Sequence, residues 1–193
     1  MAETLRLFLA LPLAPGLEQS LQQAQEGLDS HGLDLDFTRP GTWHLTLHFL
    51  GSTPARLLED LRHDLGACFH RHRRFDLSLQ GMGCFPSPDE PRVLWAGIGD
   101  PHGRLAALHQ DSRRVLDQYR LFKLEDRPYS PHLSLARVKG QSPSFDARAF
   151  GLALKAWDRP ASFPVEQGIL FQSQFLKDGM RHEALQRYPL SRG

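Results

Sequence analysis

His44-Leu45-Thr46-Leu47 and His132-Leu133-Ser134-Leu135 repeat one pattern 88 residues apart: imidazole, apolar, hydroxyl, apolar. That alternation belongs to a half-buried strand. Side chains two apart on a strand share a face, so each imidazole lies beside a hydroxyl. If the two strands are neighbours, two imidazoles and two hydroxyls converge on one patch. An imidazole titrates near neutrality, so one neutral and one protonated ring coexist there as base and acid. The hydroxyls donate hydrogen bonds to oxygens that gain charge as a reaction proceeds. The chemistry is acid–base work on a group rich in accepting oxygens, and a phosphate is the plainest candidate.

Either copy alone reads as a strand with a solvent-facing or hydrogen-bonded histidine. Composition alone puts about one His in 60 at the head of such a pattern. Among the ten histidines here, two copies then arise roughly once in a hundred chains. The pair therefore points to function.

The elements that must hold these residues follow from periodicity and punctuation. Leu5–Leu11 reads as a strand, followed by Pro12 and Pro15 and an amphipathic helix over Leu17–Leu28. Asp34–Thr38 reads as a short strand, and Pro40-Gly41 as a turn into the first His strand, Trp43–Leu50. Thr53 is the expected N-cap, and Pro54 the first residue, of a helix running to His70. Phe75, Leu77 and Leu79 alternate with polar residues as a strand, broken at Phe85-Pro86-Ser87-Pro88 and followed by a strand over Val93–Ile98. Gly103–Tyr119 is helical, and Pro128 and Pro131 bracket the approach to the second His strand. Ala147–Leu154 reads as a short helix, and Pro164–Leu190 as two strands around Lys177-Asp178-Gly179. The second half echoes the first. The expected architecture is α+β: two similar lobes facing each other across a cleft.

The chain has 193 residues, enough for one bilobal domain over 1–193 with a sizeable core. Twenty-three Lys and Arg stand against 22 Asp and Glu, a formal net charge of +1. A protein that coats long phosphate tracts needs a basic stripe, so the balance argues against that class and leaves short or terminal nucleic-acid substrates open. Cys68 and Cys84 lack metal-type spacing and read as reduced, buried thiols of a cytoplasmic protein. The apolar run Leu5–Leu13 contains Arg6 and Pro12 and is too short to span a bilayer or serve as a signal segment, so no membrane association is expected.

Trp43-His44-Leu45-Thr46-Leu47-His48-Phe49-Leu50-Gly51, with Pro131-His132-Leu133-Ser134-Leu135, resembles the 2H phosphoesterase superfamily. Within it the chain resembles the bacterial 2′-5′ RNA ligase group, also called RNA 2′,3′-cyclic phosphodiesterases. The likeness extends to Arg6-Leu7-Phe8, Arg92-Val93-Leu94-Trp95, Arg127-Pro128-Tyr129-Ser130-Pro131 and the stretch from Ser173-Gln174-Phe175 to Tyr188. It implies antiparallel sheets facing a central cleft, helices outside and pseudo-twofold symmetry. It also implies His44 and His132 as catalytic residues, and Thr46 and Ser134 as the motif hydroxyls that bind phosphate. Ser134 stands where threonine is commoner, which keeps the donor. The implied reaction is hydrolysis of a 2′,3′-cyclic phosphate to a 2′-phosphate, with no cofactor and no catalytic metal. The partners expected are RNA ends or nucleotides carrying that group, met by a monomer.

Other residues are weaker candidates. His48 lies two positions past Thr46 and is expected on the same face, although a structural role is the commoner fate of such a residue. It is no metal partner for His44, since four residues along a strand separate them by about 13 Å. Arg127 and Arg137 flank the second motif as candidate substrate contacts, Arg137 being expected to leave the His face unless the strand ends or bulges first. Tyr129 and Phe8 are candidate base-stacking rings, with core packing as the competing role. His70-Arg71-His72-Arg73-Arg74 reads as a basic helix end, with guidance of an RNA strand as the alternative.

Opening a cyclic phosphodiester requires a base for water and an acid for the departing ribose oxygen, placed on opposite sides of phosphorus. Two lobes with matching motifs supply that placement. The sequence reading assigns His44 as acid and His132 as base. A phosphodiesterase acting on 2′-5′-linked oligonucleotides, and a nucleotide-binding module without turnover, are the alternatives.

Overall fold

The computed structural model describes residues 3–14, 16–28, 32–124, 126–141, 145–157, 161–177 and 179–192. Pro15 and Asp178, used above to place turns, lie outside them. Alternating Leu7, Leu9 and Leu11 bury one face of β1 (Thr4–Pro12), which pairs antiparallel with β3 (His44–Pro54) on one side and β8 (Gln167–Leu176) on the other. β9 (Gly179–Pro189) completes a sheet of order β3-β1-β8-β9. The second sheet has the order β2-β6-β5-β4-β7, built from β2 (Leu33–Phe37), β4 (Phe75–Phe85), β5 (Val93–Gly99), β6 (His132–Gln141) and β7 (Ser162–Val165). All its pairings are antiparallel. With β2 set aside, the sheets correspond strand for strand, β3 with β6, β1 with β5, β8 with β4 and β9 with β7. The echo in the sequence is thus a pseudo-twofold relation, and the two His strands are its matched members.

The helices cover one face of each sheet. α2 (Leu58–His70) packs on β9 and α3 (Arg104–Asp117) on β3, while α1 (Leu17–Glu26) packs on β6 and α4 (Ala147–Ala156) on β4. One continuous core joins Leu9, Leu45, Leu61 and Phe69 beneath the first sheet to Leu79, Leu94, Leu133 and Phe150 beneath the second. Both cysteines are free and buried within it, and burial pushes both thiols up. Among the described residues no helix is long and apolar enough to cross a membrane.

The helix start expected at Thr53 and Pro54 is not formed. β1 pairs as far as Thr4 with Pro54, so the strand continues through both residues, and Thr53 is buried in it. A single 3₁₀ turn, Ala55–Leu57, then precedes α2. Strand pairing outcompetes the local capping signal here.

Candidate active site

Both His strands carry the same irregularity at the same place. In β3, Thr46 lies opposite Ala10 and His48 opposite Leu9, leaving Leu47 as an extra, bulged residue. In β6, Ser134 lies opposite Trp95 and Ala136 opposite Leu94, leaving Leu135 as the extra one. A bulge of one residue exchanges the faces of everything beyond it. His48 therefore turns away from His44 into the core, and Phe49 takes the outer face, 64% exposed. Likewise Ala136 is buried, and Arg137, exposed, returns to the face of His132 and Ser134. The sequence expectation for His48 is thus overturned, and the condition under which Arg137 stays on the His face is met.

His48 instead joins a buried network. It is 5% exposed, and its Nε2–H donates to the His109 carbonyl at 3.1 Å and to Ser112 Oγ at 2.9 Å. Burial, with His109 beside it, pulls its pKa down to about 3. A histidine held neutral in the fold but free to protonate when unfolded stabilises the protein fully above about pH 6.5 and progressively less below it. From pH 7 to pH 5 this one group should remove about 2 kcal/mol of stability. Urea unfolding of wild type and His48→Leu at both values checks this: the wild type should lose about 2 kcal/mol more than the variant on acidification.

The histidines of the two repeated motifs are held alike. His44 Nδ1 bonds the carbonyl of Thr42 at 2.9 Å, and His132 Nδ1 bonds that of Ser130 at 2.8 Å, each two residues back. A carbonyl only accepts, so Nδ1 carries the proton in both rings and Nε2 is the atom presented for chemistry. Each ring also rests against an aromatic at a matched strand position. Phe171 of β8 lies 6.0 Å from His44 and Phe85 of β4 lies 5.1 Å from His132, centroid to centroid. The Thr46 and Ser134 side chains are half-buried on the same face as their histidines.

Two reciprocal hydrogen bonds lock the lobes together. Trp43 Nε1, just before His44, donates to the carbonyl of Ser134 at 3.1 Å. Tyr129 Oη, just before the second motif, donates to the carbonyl of Thr46 at 2.9 Å. Each lobe therefore fixes the backbone of the other's hydroxyl residue. Tyr129 is further pinned by stacking on His109, 3.9 Å between centroids and 7° between planes. Its hydroxyl and one ring face are committed to the fold, so it positions Thr46 in place of the base-stacking role considered from sequence. Phe8 also departs from that role. At 2% exposure it is wedged between Phe171, at 5.1 Å, and His44, at 4.9 Å, and serves as the floor beneath His44. Arg127 is exposed in the segment leading to Pro131.

The sequence reading missed three neighbours. Trp95 lies 6.3 Å from His132 on β5, over Gly83, whose missing side chain makes room for the indole. Phe171 is the second. The third, His182 on β9, meets His44 edge-on at 5.3 Å and bonds Ser173 at 3.3 Å. Among the described residues it has no counterpart in the other lobe, so it breaks the symmetry of the site. Burial pulls the pKa of His44 down, the Thr42 bond opposes this, and His182 adds to the lowering. The neutral ring is thereby favoured at His44. Among the described residues no three His, Cys, Asp or Glu side chains gather as a metal ion would need.

Comparison with known proteins gives this arrangement a family. An RNA 2′,3′-cyclic phosphodiesterase of Methanothermobacter thermautotrophicus is 33% identical over 138 residues, covering 70% of this chain and 72% of that protein. One from Aeropyrum pernix is 31% identical over 120 residues, covering 62% of this chain and 66% of its own length, a little under two thirds. The crystal structure of TT0787 from Thermus thermophilus superimposes with a TM-score of 0.74 at 27% identity, covering 96% of this chain and 97% of that one. Residues 14–173, a span that holds both His strands and ends before His182, match the model of the 2′-5′ RNA ligase superfamily, and the chain belongs to that superfamily.

Proposed function

We propose that this site hydrolyses the 2′,3′-cyclic phosphate of an RNA end or nucleotide to a 2′-phosphate, using the two histidines and no metal. The carrying observation is the matched pair His44 and His132, each with Nδ1 held by a backbone carbonyl and Nε2 left for proton transfer. The two relatives named above as RNA 2′,3′-cyclic phosphodiesterases carry cleavage of a cyclic phosphodiester in their names, which supports the reading. A water oxygen attacks phosphorus, one imidazole takes its proton, and the bond from phosphorus to the 3′-oxygen breaks as the other imidazole protonates that oxygen. The Thr46 and Ser134 hydroxyls donate to the non-bridging oxygens as charge builds there. Arg137, brought to the same face by the β6 bulge, supplies a cation for the phosphate.

Burial of His44 favours the neutral ring that a base needs. On that ground we assign the base to His44 and the acid to His132, the reverse of the sequence assignment. A 5′-hydroxyl that attacks the same cyclic phosphate in place of water, with the bond to the 3′-oxygen again breaking, forms a 2′-5′ linkage as a weak second activity of the same site. A chain of near-zero net charge, without a membrane-length helix among its described residues, fits a monomeric cytoplasmic enzyme that meets RNA ends.

Incubation with 2′,3′-cyclic nucleotides in excess EDTA, followed by identification of the product isomer, tests the proposal. A 2′-phosphate formed at an undiminished rate is the expected result. Loss of turnover restored by a divalent ion overturns the metal-free mechanism. Cleavage confined to 2′-5′-linked oligonucleotides would identify the other diesterase, and binding without turnover would identify a nucleotide-binding module.

A further inference from the structure

The face of the second sheet that carries His132 does not end at the catalytic patch. His132 lies opposite Gly97 on β5, and two residues further along Gly99 lies opposite Ser78 on β4. The Trp95 ring borders Gly97, and a side chain at Gly99 would sit 2.6 Å from Ser78 Oγ and 3.1 Å from Gln80 Oε1. Trp95, Gly97, Gly99, Gln80 and Ser78 therefore share one surface. The Gln80 carbonyl oxygen fills the place of a side chain at Gly97, and Ser78 Oγ and Gln80 Oε1 fill that at Gly99, so polar oxygens gather along this stretch. Two residues along β5 and two strands across place Ser78 about 12 Å from His132.

At that point the surface opens into a cavity of about 540 Å³. Ser78 and Ser162, opposite each other on β4 and β7, line its floor. Arg73, Arg74, Arg104 and His102 line it too, against the carboxylate of Asp76. Arg74 is paired with Glu166. The guanidinium groups of Arg73 and Arg104, both exposed, have no carboxylate partner among the described residues. Arg104 opens α3, where a cation opposes the helix dipole. The cap there is supplied by Asp100, whose carboxylate accepts the backbone N–H of Arg104 at 2.9 Å and of Ala106 at 3.0 Å. Helix stability therefore gives no reason for an arginine at this place.

We propose that this groove holds the body of a single-stranded RNA whose cyclic-phosphate end lies between the two histidines, with backbone phosphates a few nucleotides upstream held by Arg73 and Arg104. The inference rests on the cyclic phosphodiesterase reading above. A sheet face that runs about 12 Å from the reacting phosphate to a cavity with two unpaired arginines suits a polyanionic strand. A mononucleotide bound at the histidines does not reach it. The net charge of +1 is no obstacle, since the attraction is local to this cavity.

The test compares wild type with the double variant Arg73→Glu, Arg104→Glu, both folded by thermal melting. Binding of a 3′-phosphorylated single-stranded RNA of about ten nucleotides is followed by fluorescence anisotropy over a range of salt. Charge-assisted bonds to phosphate contribute about ten-fold each, so the variant should bind about a hundred-fold more weakly at low salt. The slope of log affinity against log salt should fall by about 1.4, for two phosphates released. Turnover of a 2′,3′-cyclic mononucleotide should change less than about two-fold, because that substrate does not span the distance to the cavity. Unchanged RNA affinity, or equal losses on RNA and mononucleotide, overturns the groove. Absence of mononucleotide turnover in the wild type overturns the reaction assigned to the histidines, and the anisotropy arm then judges the groove separately.

Discussion

His44→Ala and His132→Ala should each lower kcat/KM on a 2′,3′-cyclic nucleotide by about 10²–10⁴, the usual contribution of a positioned acid or base. The double variant should be little worse than either single one, because groups that act as a unit are strongly non-additive. The structure sharpens this expectation. Both rings are fixed by the same bond to a carbonyl two residues back, and both stand on strands bulged at the same place. Neither has the look of a spare. His63, exposed on α2, is the control and should leave the rate unchanged on replacement. Steady-state kinetics on the wild type and the four variants, each checked by circular dichroism, decide the matter. Turnover near the wild-type level in either single variant removes that histidine from the reaction.

The His, hydroxyl pairs and the two-lobed plan were legible in the sequence because strand alternation is a local property. Leu45 and Leu47, or Leu133 and Leu135, define a buried face without reference to anything distant. The bulges were not legible. Leu47 and Leu135 look like ordinary strand residues, and only pairing with β1 and β5 reveals that each is supernumerary. From that one feature came both the misplacement of His48 and the undecided position of Arg137. Thr53 was misread for a related reason: its capping signal is local, and the β1 pairing that overrides it is not. His182 lay beyond any local pattern, since it reaches His44 only through the order β3-β1-β8-β9. A lone histidine between Arg181 and Glu183 looks like surface. The cross-lobe bonds of Trp43 and Tyr129 were likewise hidden, although both residues stand in the segments that lead into the motifs. The fold places them there because each approach segment passes beside the other lobe's strand, and β3 and β6 are in contact.

A phosphodiester whose leaving oxygen needs no proton should separate the two histidines. With a good aryl leaving group at the 3′-linked position, the acid becomes dispensable and the base does not. Burial and the neighbouring His182 favour a neutral ring at His44, which is the ground for the proposed roles of His44 as base and His132 as acid. On the aryl substrate His132→Ala should therefore recover most of the 10²–10⁴ it loses on the cyclic phosphate, while His44→Ala should stay impaired on both. The shape of a pH profile alone does not make this distinction, because a neutral base with a protonated acid and the inverse pair give the same bell. The leaving-group comparison does make it, since it removes the need for one proton and keeps the other transfer intact. Recovery in His44→Ala with continued loss in His132→Ala would restore the opposite roles. In that case the phosphate's own charge, by raising the pKa of His44 in the complex, must outweigh the burial that lowers it in the free protein.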